Sequence, residues 1–508
     1  MDIVIVKAKL VEQTWSIPLL LSLFVLFLNL FLNFIKRSKL KLPPSPPKLP
    51  IIGNLHQIGT LPHRSFRTLS TKYGPLMLLH IGHTPTLVVS SAQLAEEMVR
   101  NHDIVFSNRP ITTAVKILLY GCKDFGFAPY NEYWRQARKI CVLHLLSLKR
   151  VQSFQFVREE EVLTLINKIR GRCLDTSPIN MTEMLLGTSH NLISRCVIGL
   201  KGDEEGGSGA RFGELTRRFM HQISEFNVGD MFPSLGWLDV LSGFIGRLKE
   251  TAKEMDEFLD KVIEEHMALK SYDEKDFVHI LLQLQSDGML GTELTRDHFK
   301  AILADMFVAG TESVATATEW TMAELMRHPN IMKKAQDEVR KVVGKKPKID
   351  AEDIHRMDYL KCIIKETLRL HPPAPLMSPR QTSTSVKLED YHIPPKTTVF
   401  VNVWAIQRDP GLWEMPDVFY PERFENVEFD YKDPKSFQFI PFGIGRRTCP
   451  GVSFGLIAVE YVIANLLYWF DWKLPPHISA QNLDITEAFG LGVCMKFPLC
   501  LLAMPYRP

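Results

Sequence analysis

The segment PFGIGRRTCPG, residues 441–451, constrains the fold more than any other stretch of this sequence. It places one cysteine, Cys449, among three glycines, two arginines and two prolines. A cysteine in a hydrophobic core usually has apolar neighbours, and a disulfide needs no run of glycines. Glycine permits backbone conformations and close approaches that side chains forbid. The loop is therefore expected to fit closely around a partner other than a second sulfur.

The other cysteines and the charge balance exclude several classes of protein. The eight cysteines form no CxxC pair, and none has zinc-finger spacing to a histidine, so thiols in a reducing compartment are expected. The 60 basic and 57 acidic residues give a formal charge of +3. A nucleic-acid-binding protein would show a larger and clustered basic excess. We therefore expect no nucleic-acid partner.

The first fifty residues predict a membrane anchor and a stiff connector. Residues 17–35 carry no charge and are nearly long enough to span a bilayer. A cleaved signal peptide is the alternative, although its apolar region should be shorter and end in small residues. More basic residues follow this segment than precede it, which favours a cytosolic position for the rest of the chain. The predicted divisions are a lumenal segment at 1–16, a transmembrane anchor at 17–35, a basic and proline-rich connector at 36–50, and one large domain at 51–508.

The pattern of apolar residues predicts a mainly α domain with a minor β component. Most apolar residues after residue 60 recur at spacings of three and four, and shorter alternating runs lie near 76–90, 386–402 and 493–503. The clearest helix should run from about Arg296 to His328, with Thr295 as N-cap and Pro329 after its end. No linker or repeat divides the sequence beyond residue 50. We therefore predict a single domain.

The middle of this long helix carries an unusual group of residues, Gly310, Thr311, Glu312 and Ser313. Glycine costs about 1 kcal/mol relative to alanine in a helix interior, and hydroxyl side chains can bond to the preceding turn and bend the helix. One interpretation is a tolerated kink with a solvated glutamate. The other is a groove where a small molecule meets a proton donor.

Two further helices carry charged pairs with both a structural and a functional interpretation. Glu366 and Arg369 share one helix face, where an exposed pair contributes only a few tenths of a kcal/mol and a buried one matters much more. Trp134 and Arg138 are four residues apart and could together bind a flat anion. A stacked pair on the surface is the alternative for the second couple.

Taken in order, these fragments resemble the cytochrome P450 family of haem-thiolate monooxygenases. The fragments are Trp134 with Arg138, the AGTES segment, Glu366-x-x-Arg369, Pro421-Glu-Arg-Phe424 and Phe442-x-x-Gly445-x-Arg447-x-Cys449-x-Gly451. The resemblance covers essentially the whole chain. The WRQARK, PPSPP and WAIQRDP segments make it similar to plant microsomal enzymes of the A type, of the family 71 kind. It implies the cytochrome P450 fold behind an N-terminal transmembrane helix.

The resemblance implies haem b as cofactor and assigns residues to it. Cys449 would be the axial ligand of the iron, and backbone N–H groups aimed at its sulfur would tune the thiolate. The implied cofactor-binding residues are Cys449, Trp134, Arg138, Arg380, Arg447, Phe442, Gly445 and Gly451. Glu366, Arg369 and Arg423 resemble the family's buried structural network.

The resemblance also implies the reaction and its partners. Electrons from NADPH would arrive through NADPH–cytochrome P450 reductase and its flavins, with cytochrome b5 as a further partner, at the endoplasmic reticulum membrane. Gly310, Thr311, Glu312 and Ser313 would activate oxygen, with Glu312 as the acid and Ser313 in place of the family's usual threonine. The substrate would be a neutral hydrophobic molecule of plant specialised metabolism, such as a terpenoid, an alkaloid precursor or a phenolic. The implied substrate-pocket residues are Leu118, Phe125, Phe307, Ala309, Ala374, Leu376, Met377 and Phe489, of which about half are expected to be core.

Two other functions fit parts of the sequence. A haem-thiolate isomerase or dehydratase would need no reductase and would lack the acid–hydroxyl pair. A non-catalytic haem-binding sensor in the membrane would need no groove for proton delivery. Glu312 and Ser313 favour the monooxygenase over both alternatives.

Overall fold

Helices account for most of this protein in the computed structural model. The structure describes residues 22, 24, 25, 28, 40–173, 177–200, 208–268, 276–288, 294–429, 431 and 436–507. The predicted anchor at 17–35 therefore lies outside the described residues, apart from four helical positions. The lumenal segment at 1–16 lies outside them entirely.

The predicted fold class, mainly α with a minor β component, is confirmed. The helices are α1 (Pro62–Tyr73), α2 (Ala92–His102), α3 (Thr113–Leu118), α4 (Glu132–Ile140), α5 (Leu148–Ser153), α6 (Gln155–Arg172), α7 (Met181–Ile198), α8 (Ser208–Ser224), α9 (Val228–Met231), α10 (Trp237–Leu241), α11 (Phe244–Ala268), α12 (Phe277–Ser286), α13 (Arg296–Arg327), α14 (Pro329–Val343), α15 (Ala351–His355), α16 (Asp358–Leu370), α17 (Val403–Ile406) and α18 (Val452–Trp469).

Among the described residues, the strands form four small sheets. They are β1 (Leu76–Ile81), β2 (Thr84–Val89), β3 (Ile179–Asn180), β4 (Arg380–Gln381), β5 (Val386–Leu388), β6 (Tyr391–Ile393), β7 (Thr398–Val401), β8 (Phe470–Lys473), β9 (Glu487–Phe489), β10 (Val493–Met495) and β11 (Cys500–Pro505). The largest sheet has the order β1-β2-β7-β4, in which β2 pairs in parallel with β7. The other sheets are β3-β11-β8, β9-β10 and β5-β6.

Helix α13 runs through the middle of the domain, as the sequence predicts. It begins after a capping box formed by Thr295 and His298 and ends just before Pro329. Side chains are buried around almost its whole circumference, because α7, α16 and α18 pack against it. A helix buried on all sides needs apolar residues on every face, so its few polar residues require a separate explanation.

Helix α18 begins directly after the cysteine loop. Among the described residues it is the one helix that is both long enough and apolar enough to cross a membrane, and 67% of it is buried in the fold. Its apolar residues pack against α13, α14 and α6. It is therefore a core helix that holds the loop in front of it.

The end of the proline-rich connector packs against the sheets. The carbonyl of Pro44 accepts a hydrogen bond of 2.9 Å from the amide of Leu78 in β1, and the carbonyl of Lys41 accepts one of 2.7 Å from His392 in β6. Residues 41–48 form neither helix nor strand, which agrees with the prediction from their prolines. These bonds fix the end of the connector to the domain.

Candidate functional site

The cysteine loop lies under one cavity and adopts conformations that need glycine. Gly443 and Gly445 have φ angles of 83° and 63°. A Cβ atom on Gly445 would lie 2.7 Å from Oδ1 of Asp103, so a side chain is excluded there. The amide of Cys449 donates a hydrogen bond of 2.8 Å to the carbonyl of Phe442, which closes the loop.

The thiol of Cys449 faces the cavity and receives local electrostatic support. Burial raises its pKa, whereas the backbone N–H of Gly451 and the charge of Arg138 lower it. Helix α18 starts at Val452, so its positive N-terminal end lies next to the sulfur. These groups favour a thiolate when a cation binds the sulfur, which is the arrangement expected from the sequence.

The unusual residues of α13 line the same cavity as Cys449. Ala309, Gly310, Glu312 and Ser313 line the cavity, and Ser313 Oγ donates a hydrogen bond to the carbonyl of Ala309. Thr311 differs from this set because it is buried and does not line the cavity. The structure thus brings three of the four expected oxygen-activation residues to the cavity and leaves Thr311 in the core.

Gly310 has a packing role that the sequence did not indicate. A Cβ atom at this position would lie 2.3 Å from Cδ1 of Ile193 in α7. On the same helix, Ser189 Oγ donates a hydrogen bond of 2.7 Å to the carbonyl of Thr311. Helix α7 therefore approaches α13 closely at the point where the helix faces the cavity.

Glu312 is the titratable group closest in sequence to the Ser313 hydroxyl. Burial raises the pKa of its carboxyl group, and only His221 opposes this effect. A carboxyl group with a raised pKa holds its proton nearer to neutral pH and can therefore deliver it as a general acid. The role of acid that the resemblance implies for Glu312 stays a prediction.

Four arginine side chains surround one end of the cavity, namely Arg109, Arg138, Arg380 and Arg447. Burial is the main cause that lowers the pKa of each of them. Repulsion from Arg380 and Arg138 adds to burial at Arg447 and lowers its pKa to about 9, although nearby aspartates oppose it. Such a cationic rim needs anions, and a ligand with two carboxylate groups would supply them.

Arg109 was not among the residues that the sequence analysis singled out. Its guanidinium donates hydrogen bonds to the carbonyl of Gly126 at 3.1 Å and to that of Pro379 at 2.9 Å. The sequence around it, SNRP, has no pattern that marks a buried cation. Only its position beside the other arginines reveals its role.

A second unexpected residue, Asp305, ties α13 to the loop that borders the cavity. Its Oδ2 atom accepts hydrogen bonds from the amides of Phe125 at 2.8 Å and Gly126 at 3.1 Å. The carbonyl of Phe125 in turn accepts from Trp134 Nε1 at 2.8 Å and from Arg447 at 3.1 Å. A lone acid within the apolar run AILADMFVA was the sequence signal that could have identified Asp305.

The Glu366–Arg369 pair is buried, so the surface alternative for this pair is wrong. Both side chains are 0% exposed, and Arg369 Nε and Nη2 donate to the Glu366 carboxylate at 2.6 and 2.8 Å. Arg423 Nε adds a third bond, 3.1 Å long, to the same carboxylate. Arg369 also donates to the carbonyls of Gln407 and Pro416. Removing one partner from such a network leaves a buried charge unpaired.

The structure separates the eight expected substrate-pocket residues into three groups. Phe125, Ala309, Ala374 and Met377 line the cavity. Leu118, Phe307 and Leu376 are buried in the hydrophobic core, and Phe489 is half exposed and stacks on His63. Four of the eight therefore line the cavity, three lie in the core, and Phe489 does neither. Leu491 and Gly492 take the place of Phe489 at the cavity wall.

The residues around the cavity, which has a volume of about 370 Å³, fit haem. Cys449, Phe442, Gly451, Gly310 and Ser313 all line this cavity, and the arginine rim can pair with two propionate groups. Trp134, Arg138, Arg380 and Arg447 all line the cavity, as expected. Gly445 does not line it but permits the turn that presents Cys449.

Comparison with known proteins gives consistent results. The sequence model of one protein family, cytochrome P450, matches residues 43–496. Phenylacetaldehyde oxime monooxygenase CYP71AN24 of Prunus mume is 52% identical over 93% of this chain and 91% of its own length. Desmethylyatein synthase of Sinopodophyllum hexandrum is 48% identical, covering 94% of this chain and 97% of its own. A zebra fish cytochrome P450 solved with progesterone has a TM-score of 0.77 at 27% identity, over 87% of this chain and 99% of that one.

Proposed function

Since this chain belongs to the cytochrome P450 family, we propose that it is a membrane-bound plant monooxygenase that oxidises a neutral, hydrophobic molecule of specialised metabolism. The single observation that carries the proposal is the shared cavity. Cys449, Glu312 and Ser313 all line it. A reaction that needs an iron ligand, a proton donor and a positioned hydroxyl can be assembled from these three residues.

Each residue has a defined task in this reaction. Haem supplies the reductive activation of molecular oxygen when it is bound. Cys449 would hold the iron, and the N–H of Gly451 would limit the charge on the sulfur. Glu312 would deliver protons from its carboxyl group, and the Ser313 hydroxyl would pass them towards the cavity. Phe125 and the other apolar lining residues would exclude bulk water.

The charges around the cavity favour a neutral substrate. Asp305 already accepts hydrogen bonds from Phe125 and Gly126, and the arginine rim is matched to the cofactor. Apart from Glu312, which acts as the acid, no further charged side chain of the described residues lines the cavity. An ionic substrate would therefore have no partner there. The compound named for the relative from Prunus mume, phenylacetaldehyde oxime, is itself a small and neutral aromatic molecule.

The redox partner would dock on the face next to the cysteine loop. Arg135, Lys139 and Arg446 are exposed on this face and could attract an acidic flavoprotein such as NADPH–cytochrome P450 reductase. Cytochrome b5 could use the same face. Turnover should fall steeply as the salt concentration rises, and turnover that is independent of salt would contradict docking through these charges.

The predicted anchor at 17–35 would hold the enzyme in the endoplasmic reticulum membrane, with a single span and a cytosolic domain. The connector at 36–50 and the catalytic domain at 51–508 would follow this anchor. Protease treatment of intact microsomes tests the topology. Digestion of the domain supports it, and protection of the domain contradicts it.

The first experiment is turnover in membranes that contain a plant reductase. Terpenoids, alkaloids and phenolics are each incubated with and without NADPH, and the products are identified by mass spectrometry. Products that gain oxygen only with NADPH support the proposal. Products formed without NADPH would instead indicate the isomerase or dehydratase. That alternative predicted the loss of the acid–hydroxyl pair, but Glu312 and Ser313 are both present.

A further inference from the structure

Three buried side chains with metal-binding atoms meet where α11 ends and α12 begins. His266 lies in the last turn of α11, Asp276 is the N-cap of α12, and His279 lies in the first turn of α12. All three are less than 10% exposed. Each residue offers one potential ligand atom, and these three atoms all lie within 4.8 Å of one another. This cluster has no part in the reaction described above.

The contacts of His266 are compatible with a proton or a metal ion between it and Asp276. Nδ1 of His266 lies 2.6 Å from the carbonyl oxygen of Val262, which can only accept, so this nitrogen must carry a proton. Nε2 lies 2.8 Å from Oδ2 of Asp276, which is also an acceptor when ionised. Either a second proton or a metal ion can therefore lie between Nε2 and the carboxylate.

The surroundings of the cluster resemble those of metal sites in two respects. A metal-binding histidine typically donates its other N–H to a backbone carbonyl, as His266 does to Val262. Helix α7 ends at Gly199, where a Cβ atom would lie 2.8 Å from Oδ2 of Asp276. The negative end of that helix is thus next to the cluster and favours a positive charge.

We propose that His266, Asp276 and His279 form a binding site for a divalent transition-metal ion, with Zn²⁺ as the best fit. Two imidazoles and one carboxylate are ligands that zinc prefers, and water would fill the fourth position. Ligand atoms around tetrahedral zinc lie roughly 3.3 Å apart. His279 Nδ1 and His266 Nε2 lie 2.7 and 2.8 Å from the Asp276 carboxylate. All three ligand atoms lie within 4.8 Å of one another, so zinc binding requires them to move towards the tetrahedral spacing. Binding would release to solvent the proton held between His266 and Asp276.

A metal at this site would tie the end of α11 to α12. Helix α11 also carries Phe258, whose ring stacks on Phe212 of α8 with centroids 4.3 Å apart. Phe212 in turn contacts Phe307 of α13, with ring centroids 4.7 Å apart, next to the cavity wall. The bound ion would therefore stabilise the layer of helices that packs over α13.

Zinc binding is tested on the untagged, full-length holoenzyme in detergent. The protein is stripped with EDTA, loaded with ZnCl₂ and desalted, and zinc per haem is measured by mass spectrometry. We expect about one zinc per haem and a rise of about 2–4 °C in Tm at saturation. His279→Asn, which keeps an N–H donor, and Asp276→Asn, which keeps the N-cap, should each lose the zinc and the shift in Tm. His477→Asn changes an exposed histidine outside the cluster and should behave like the wild type.

Two results would overturn the proposal. One is a wild type that holds no more zinc than His279→Asn and Asp276→Asn. The other is an X-ray absorption spectrum that shows sulfur next to zinc, because the ion would then be bound to a cysteine. The reduced carbon monoxide difference spectrum of each variant reports whether it is folded and loaded with haem. If a variant fails this check, His266→Gln replaces it. The X-ray absorption spectrum of the wild type still decides, without any variant, whether sulfur lies next to the zinc.

Discussion

The hydroxyl group of Ser313 donates a hydrogen bond of 2.6 Å to the carbonyl oxygen of Ala309, one turn earlier in α13. This bond ties the hydroxyl to the preceding turn of the helix. Serine can leave the bond by rotating about χ1, and it lacks the methyl group that limits the rotamers of threonine. We expect proton delivery to be less tightly controlled than with threonine.

Ser313→Thr should lower the hydrogen peroxide released per NADPH consumed. A rotamer preference of a few tenths of a kcal/mol corresponds to a decrease of about twofold in the peroxide released per NADPH. Peroxide and NADPH are measured in the same reaction. Thr318 makes the same kind of bond to Val314 in a buried part of α13, so Thr318→Ser is the control and should leave the ratio unchanged. A ratio that is unaffected by Ser313→Thr would reject the idea.

Glu312→Gln should reduce product turnover by about 10²-fold, since the amide cannot deliver a proton. The peroxide released per NADPH should rise at the same time. Reduced oxygen that does not receive its protons through Glu312 would leave as peroxide instead of oxidising the substrate. The haem content should not change, since Glu312 contacts none of the arginines that border the cavity. Glu352→Gln, which alters an exposed acid, is the control. Full turnover in Glu312→Gln would place the proton donor elsewhere.

Asp124→Asn should stabilise the protein near neutral pH but not in acid. Burial is the main cause that raises the pKa of Asp124 to about 6, and the hydrogen bond from Phe127 and the charge of Arg447 oppose it. Burial and the charge of Asp124 also raise the pKa of the neighbouring Asp305. A carboxyl group with a raised pKa stabilises the fold below its ordinary pKa, and this stability is lost as pH rises through about 6.

The measurement is Tm across this range of pH. The gain in Tm from Asp124→Asn should be larger near pH 7.5 than near pH 5, and it corresponds to about 1–3 kcal/mol. Arg447 and Arg109 face the pair and reduce the effect without reversing it. Asp287→Asn, an exposed position, should show no such trend. An equal gain at both values of pH would mean that the two acids do not share a proton.

Gly310→Ala should be destabilising in the wild type and stabilising when Ile193 is also changed to alanine. In the wild type the new Cβ atom meets Ile193 Cδ1 at 2.3 Å, which we expect to cost about 1–3 kcal/mol. Without the isoleucine side chain, only the higher helix propensity of alanine remains, which contributes about 1 kcal/mol. Thermal unfolding of the four proteins in the cycle measures the coupling. Additive effects would show that the two helices can separate freely.

The long helix and the cysteine loop could be predicted because their signals are local. The capping threonine and Pro329 define α13 to within one residue, and glycines at positive φ mark the loop around Cys449. The cavity wall could not be predicted in the same way. Leu118 and Leu376 are as apolar as the residues that line the cavity, and only tertiary packing decides which face of each element is open. Arg109 and Asp305 acquire their roles from partners 17 or more residues away in sequence.

The two hydrogen bonds of the connector set a limit for anyone who shortens this protein to make it soluble. Lys41 and Pro44 supply carbonyl groups to the amides of His392 and Leu78. A chain that begins after Pro44 would leave both amides without their partners and would expose the edges of two sheets to other molecules. A truncated enzyme intended for crystallisation should therefore retain Lys41 and place any solubilising residues before it.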